Sequence, residues 1–305
     1  MRLEFAESIL KVVNSEENLV FVSGDLGFMA LEGIRERLGT RFINAGVAEQ
    51  NMVSVAAGLA ARGFIPLVYS IAPFATLRPF EQIRNDICFH DLPVKIVGNG
   101  GGYGYGIMGA THHALEDVGV MRTLPNMRVF VPSFSHDVGL CVETMLSHPG
   151  PTYLRLGKAA PDYGTVCSNS SWAPIRRLCE GSSVVVVAMG PVIENIIQII
   201  PQLPANTIDL WTVGEFPVRK LPDDLIAAVQ RTGKLLVLEE HYLSGGLAEN
   251  LAPLLIGQVK RGIELVTLHA QGYPSQLYGS QGWHQQESGL RGGQLLQSVT
   301  ELLER

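Results

Sequence analysis

The sequence predicts an α/β protein made of two consecutive domains, each with a mostly parallel sheet. Three observations predict it. Short β-rich apolar runs recur, each closed by Gly, Pro or Ser. Stretches of helical composition lie between them, and strand alternating with helix implies parallel pairing through crossovers. A polar interval containing Pro, Gly and Ser, residues 161–178, interrupts this rhythm before it resumes. At 305 residues the chain has room for about two domains.

In the first domain, residues 1–160, MRLEFAESILKVV reads as an amphipathic helix. Leu19–Val22 is a buried strand ending in Ser-Gly-Asp, and Phe42–Asn44 turns at Ala45-Gly46 into a helix over Ala48–Ala61. Pro66–Tyr69 is the next strand. Pro79 sits where a first helical turn accepts proline, so Pro79–His90 reads as a helix. Val94–Val97 runs into a glycine-rich stretch, and Val129–Val131 ends in Pro-Ser. In the second domain, residues 179–305, Val184–Ala188, Leu235–Leu238 and Ile263–Leu268 are strands, and Gly293–Leu303 is a closing helix.

Composition narrows the function. Charged residues are 17 % of the chain, against about 25 % in typical domains. With a mean hydropathy of +0.18, this excludes intrinsic disorder. The net charge is −6, and no basic run exceeds a pair, as at Arg176-Arg177 and Lys260-Arg261, which argues against a nucleic-acid partner. No window reaches 18 uncharged apolar residues, so no membrane span is expected. The amphipathic N-terminus, with its early acids, does not read as a signal peptide. Cys88, Cys141, Cys167 and Cys179 form no CxxC and read as reduced thiols of a cytoplasmic protein.

Two local features invite chemistry. The run from Gly98 to Gly109 contains a formal GxGxxG at Gly104, Gly106 and Gly109. A dinucleotide fingerprint leaves its strand directly and opens a helix. Here six residues intervene after Val97, and Ala-Thr-His-His-Ala follows. The glycines fit better a loop whose backbone comes close to a ligand. Glu49 falls in a first helical turn, where an acid gains about 0.3–1 kcal/mol from the helix dipole whatever else it does.

Several motifs in order turn these features into a family signal. They are GDLG at 24–27, RFINAGVAEQNM at 41–52, FATLRPFEQIRND at 74–86, GATHHALED at 109–117 and LPNMRVFVPS at 124–133. Together they resemble the thiamine-diphosphate enzymes of the transketolase family. More narrowly, they resemble the C-terminal half of a transketolase encoded as a separate chain, with a pyrimidine-binding domain followed by a C-terminal domain. Leu238-Glu239-Glu240-His241 and Ser244-Gly245-Gly246 are weaker markers of the second domain.

The resemblance implies roles. Glu49 falls on the catalytic glutamate, whose bond to a ring nitrogen of the aminopyrimidine favours the imino tautomer that takes the C2 proton. Phe74 falls on the aromatic that stacks on the aminopyrimidine, and Ile71 stands where relatives often have a second aromatic. Asp25 matches an acid near the cofactor at the chain–chain interface. His112 falls beside the reacting carbon. His113 takes the place of a usual Gln and, with Arg155 at a phosphate-binding position, is expected to contact substrate. Gly100 and Met108 replace a histidine and an acid that read sugar hydroxyls in transketolases. Ordinary pentulose phosphates are therefore not the expected donors. Tyr103 and Tyr105 are candidates for the missing hydroxyl contacts, and the glycine run is expected to leave room for a histidine reintroduced at position 100.

The GDG…N motif that holds Mg²⁺ and the diphosphate is absent from this chain. The resemblance therefore implies a partner chain that brings it, and a heterotetramer with two copies of each chain. The function so implied is transfer of a two-carbon ketol or acyl unit between small carbonyl or sugar-phosphate substrates. The alternatives are the β subunit of a 2-oxo acid dehydrogenase complex and a non-catalytic assembly subunit.

Overall fold

The computed structural model describes residues 1–26, 30–158 and 171–305. The first unit contributes β1 (Leu19–Ser23), β2 (Phe42–Asn44), β3 (Ile65–Ile71), β4 (Lys95–Asn99), β5 (Arg128–Phe130) and β6 (Thr152–Leu156). The second contributes β7 (Ile175–Cys179), β8 (Val184–Met189), β9 (Ile208–Val213), β10 (Glu215–Phe216), β11 (Lys234–Glu239) and β12 (Glu264–His269). One sheet has the order β10-β5-β6-β4-β3-β1-β2, and the other β12-β11-β8-β9-β7. All pairings are parallel except β10 with β5 and β7 with β9. Two α/β units with mostly parallel sheets are therefore what the chain forms.

The inner parallel strands are buried on both faces, which is why they read as continuous apolar runs rather than alternating ones. β1 is buried throughout, and so is β8. Helices Arg2–Val12 and Asp137–Ser147 cover one face of the first sheet, over Phe5, Ile9, Phe21, Tyr69 and Val142. Helix Glu49–Ala61 covers the other with Met52, Val53 and Ala56. That second core does not stop at the unit boundary. It runs on through Val131 to Met189, Trp211, Phe216 and Val229.

The structure departs from the sequence reading in four places. β7 begins at Ile175, inside the interval read as linker, because Ile175–Cys179 pairs antiparallel with the edge of β9. The part of that interval at 161–170 lies outside the described residues. Pro79–His90 is one turn of α-helix, Phe80–Gln82, followed by a π-helical segment, Ile83–Cys88. β6 and β9 carry buried charges that interrupt their apolar pattern. Finally, Cys179 is disulfide-bonded, against the expectation of four reduced cysteines, whereas Cys88 and Cys141 are buried free thiols.

Candidate active site

In open parallel sheets, ligands bind beyond the carboxyl ends of the strands. The sequence motifs converge on that edge. β1 delivers Gly24 and Asp25. After β2, the Asn44 side chain accepts from Gly46 N at 2.9 Å, a local turn that Gly46 completes at φ +72°. The chain then enters helix Glu49–Ala61 with Glu49 as its first residue. β3 ends at Ile71, which precedes the short helix Ala72–Thr76 carrying Phe74. β4 ends at Asn99 and opens the glycine-rich loop that carries Tyr105 and His112.

Glu49 is 5 % exposed, and Arg78 Nη1 donates to its Oε2 at 3.0 Å. Among the described residues no donor meets Oε1. The Arg78 guanidinium carbon lies 4.0 Å from the centre of the Phe74 ring. The Phe74 ring meets the edge of His112 at 5.2 Å, and Tyr105 packs 5.8 Å from the same imidazole. His112 Nδ1 is bonded to Thr111 Oγ1 at 2.9 Å, which leaves Nε2 without a described partner. Asn99 Nδ2 donates to the Tyr105 hydroxyl at 2.9 Å. Glu49, Phe74, His112 and Tyr105 thus form one contiguous group. Arg78 and Asn99 belong to it and were missed. Arg78 stands four residues after Phe74 but beyond the helix Ala72–Thr76, and its other partner, Glu49, lies 29 residues back, so spacing gave no signal.

Other predicted site residues are placed elsewhere. His113 is buried, with Nδ1 bonded to Tyr273 Oη at 2.9 Å and Nε2 to the Gly106 carbonyl at 2.8 Å. Burial pushes its pKa down to about 4. Both nitrogens are used, so His113 ties the loop to the second unit. Tyr103 is fully buried. Its N–H donates to Glu240 Oε1, its hydroxyl donates to Gly272 O, and its ring stacks on His284. Its hydroxyl and ring are both engaged at the junction of the two units. Arg155 is 3 % exposed. Its Nε donates to Asp117 Oδ2 at 2.9 Å and its Nη2 to the carbonyls of Ala114 and Glu240. Burial pushes Arg155 down, but Asp117, with Tyr153 and Glu240, more than offsets it and the net shift is upward. It forms a buried ion pair with Asp117 within the first unit, and its Nη2 reaches across to the Glu240 carbonyl of the second.

The glycines have the same explanation. A Cβ at Gly100 would lie 2.2 Å from the Tyr105 ring, at Gly101 2.6 Å from Arg155, and at Gly102 2.3 Å from Glu240. The loop approaches its own side chains, where the sequence predicts a close approach to ligand, and Gly100 has no room for a histidine. The GxGxxG positions open no helix: Gly106–Met108 is a single 3₁₀ turn that exposes Ile107 and Met108. Asp25 is exposed and accepts from Asn44 at 3.1 Å. It lines a separate open pocket of about 250 Å³ with Ser23, Arg35 and Phe42. Among the described residues, no group of three His, Cys, Asp or Glu side chains could hold a metal ion, and no helix is long and apolar enough to cross a membrane.

Fold and site together define a paired α/β protein whose chemistry gathers at the carboxyl edge of its first sheet, around a buried carboxylate and an aromatic ring. The family described as transketolase, pyrimidine binding domain, matches residues 1–162, and the family described as transketolase, C-terminal domain, matches residues 174–282. The chain belongs to the transketolase family.

It is 30 % identical over 253 residues to one of the subunits of the apulose-4-phosphate transketolase of Phocaeicola vulgatus, covering 81 % of this chain and 80 % of that one. It is 28 % identical over 260 residues to the 6-deoxy-6-sulfo-D-fructose transketolase subunit SqwH of Clostridium sp. (strain MSTE9), covering 84 % and 80 % respectively. Among solved structures, it superposes with a TM-score of 0.84 and 28 % identity on a split gene transketolase, an inactive beta4 tetramer, covering 99 % and 98 % of the two chains.

Proposed function

We propose that this chain is the pyrimidine-side subunit of a split transketolase, which moves a two-carbon ketol unit between carbonyl substrates. The observation that carries this is the Glu49 carboxylate: buried, held through Oε2 by Arg78, whose guanidinium also lies over the Phe74 ring, and with no donor on Oε1 among the described residues. A buried carboxylate with one uncommitted oxygen, joined through an arginine to an aromatic ring, fits the aminopyrimidine end of thiamine diphosphate. Nothing comparable among the described residues fits its diphosphate end, which needs a divalent cation with oxygen ligands.

When bound, thiamine diphosphate supplies the carbon nucleophile that carries the two-carbon unit. Glu49 Oε1 holds the proton at a ring nitrogen of the aminopyrimidine. Phe74 supports that ring at low entropic cost. His112 Nε2 gives a proton to, or takes one from, the substrate oxygen. A separate chain bearing the GDG…N motif supplies Mg²⁺ and the diphosphate contacts, in an assembly of two copies of each. The relative whose β4 tetramer is inactive supports this dependence.

Two named relatives act on apulose 4-phosphate and 6-deoxy-6-sulfo-D-fructose, which favours a donor other than the common pentulose phosphates. The absence of a hydroxyl-reading side chain at Gly100 supports the same view, and Tyr105 is the remaining candidate for such a contact.

The test is co-expression with a partner chain bearing GDG…N, followed by a donor panel with added thiamine diphosphate and Mg²⁺. The complex is expected to turn over, and the lone chain is not. Turnover by the lone chain, freed of host transketolase, overturns the need for a partner. A stable complex with no thiamine-dependent turnover of any ketose or 2-oxo acid overturns the reading.

A further inference from the structure

We propose that Arg78 is a positioning residue that locks the Glu49 carboxylate and the Phe74 ring into one unit; this rests on the role of Glu49 proposed above. Arg78 makes two contacts of different kinds. Its Nη1 donates to Glu49 Oε2 at 3.0 Å, and its guanidinium carbon sits 4.0 Å from the centre of the Phe74 ring. Among the described residues it is the only donor that reaches the Glu49 carboxylate.

The pair is lopsided: Glu49 is 5 % exposed and Arg78 49 %. An ion pair with one half-exposed partner adds little to stability. What it contributes is direction. A carboxylate at the start of a helix can rotate about its last torsion, which is broad and twofold. With Oε2 tied to the guanidinium, Oε1 is aimed. A carboxylate misplaced by about 1 Å costs about 10²-fold in rate, so fixing one torsion is worth more to the chemistry than to the fold.

The planar guanidinium can stack and donate at once, whereas an ammonium keeps the charge and loses the stack. Arg78 also connects, through Phe74, to His112 at 5.2 Å, so Glu49 and His112 share a common support. Sequence alone did not single out Arg78 because its partners lie 29 residues back and four residues back, on different elements.

The experiment uses the assembled complex with Arg78→Met and Arg78→Lys. Three quantities are read: thiamine diphosphate affinity by titration calorimetry, the H/D exchange rate at C2 of bound cofactor by NMR, and the urea midpoint of the chain. Arg78→Met is expected to slow C2 exchange by about 10²-fold, to weaken affinity, and to leave the urea midpoint unchanged. Arg78→Lys is expected to recover part of the exchange rate but not the affinity. Exchange at the wild-type rate in Arg78→Met overturns the proposal. So does tighter cofactor binding in that variant, because Arg78 would then be competing for the place of the ring. If Arg78→Met alone fails to fold, wild-type exchange and affinity in Arg78→Lys overturn it equally. A wild-type complex that binds no thiamine diphosphate removes the underlying function instead, and that result is read before any variant is made.

Discussion

Replacing Gly100 with alanine measures how completely Tyr105 owns the space beside it. Gly100 sits at φ +78°, a region that costs an L-residue about 1–2 kcal/mol. The new Cβ would also stand 2.2 Å from Tyr105 Cε2 and 2.4 Å from Cδ2, so the ring must move. It cannot move freely, because its hydroxyl holds the Asn99 side chain at 2.9 Å and its ring packs on His112. Overpacking of this kind costs about 1–3 kcal/mol. The sum is a loss of about 2–5 kcal/mol, measured by urea denaturation of the chain. In a Tyr105→Ala background only the backbone part remains, about 1–2 kcal/mol. A loss under about 1 kcal/mol, or equal losses in both backgrounds, refutes the steric argument. The same contact means that Gly100→His with Met108→Asp does not restore a hydroxyl-binding histidine; it displaces Tyr105.

Three further outcomes are expected. Glu49→Gln abolishes H/D exchange at the cofactor C2 while leaving the complex assembled by size-exclusion chromatography, because an amide keeps the shape but cannot share a proton with the ring. Arg155→Met leaves Asp117 buried without its cation and costs about 3–5 kcal/mol by chemical denaturation, far more than loss of an exposed substrate-binding arginine would. His113 is neutral when folded, with a pKa of about 4 against 6.5 for the free side chain. Its contribution to stability is complete above about pH 6.5 and is lost as pH falls through about 4. His113→Gln should therefore flatten the fall in stability across that interval by the equivalent of one proton.

Much of the fold was legible because buried parallel strands write themselves as apolar runs between breakers, as in Leu19–Val22 and Val184–Ala188. β9 escaped because Asp209 stands in it, buried and paired with Arg177 and Arg231. β6 escaped because Arg155 stands in it for a similar reason. Periodicity cannot show a charge whose partner is distant in sequence. The grouping of Glu49, Phe74 and His112 was legible because one motif delivers each side chain to the sheet edge. What sequence could not show is a residue whose partners come from the second unit. Tyr103, His113 and Arg155 all look like site residues along the chain, and all three face Gly272, Tyr273 or Glu240 across the junction.

β10 has a consequence for how this protein can be divided. Two residues of the second unit, Glu215 and Phe216, complete the exposed edge of the first sheet against β5, and Glu215 grips Arg128 through both carboxylate oxygens at 2.7 Å. A fragment ending near residue 160 keeps every strand from β1 to β6 yet bares the β5 edge and the apolar surface that Phe216 and Trp211 cover. Bare edges recruit other strands. Such a fragment should self-associate, and the intact chain should melt in a single transition rather than as two separable modules.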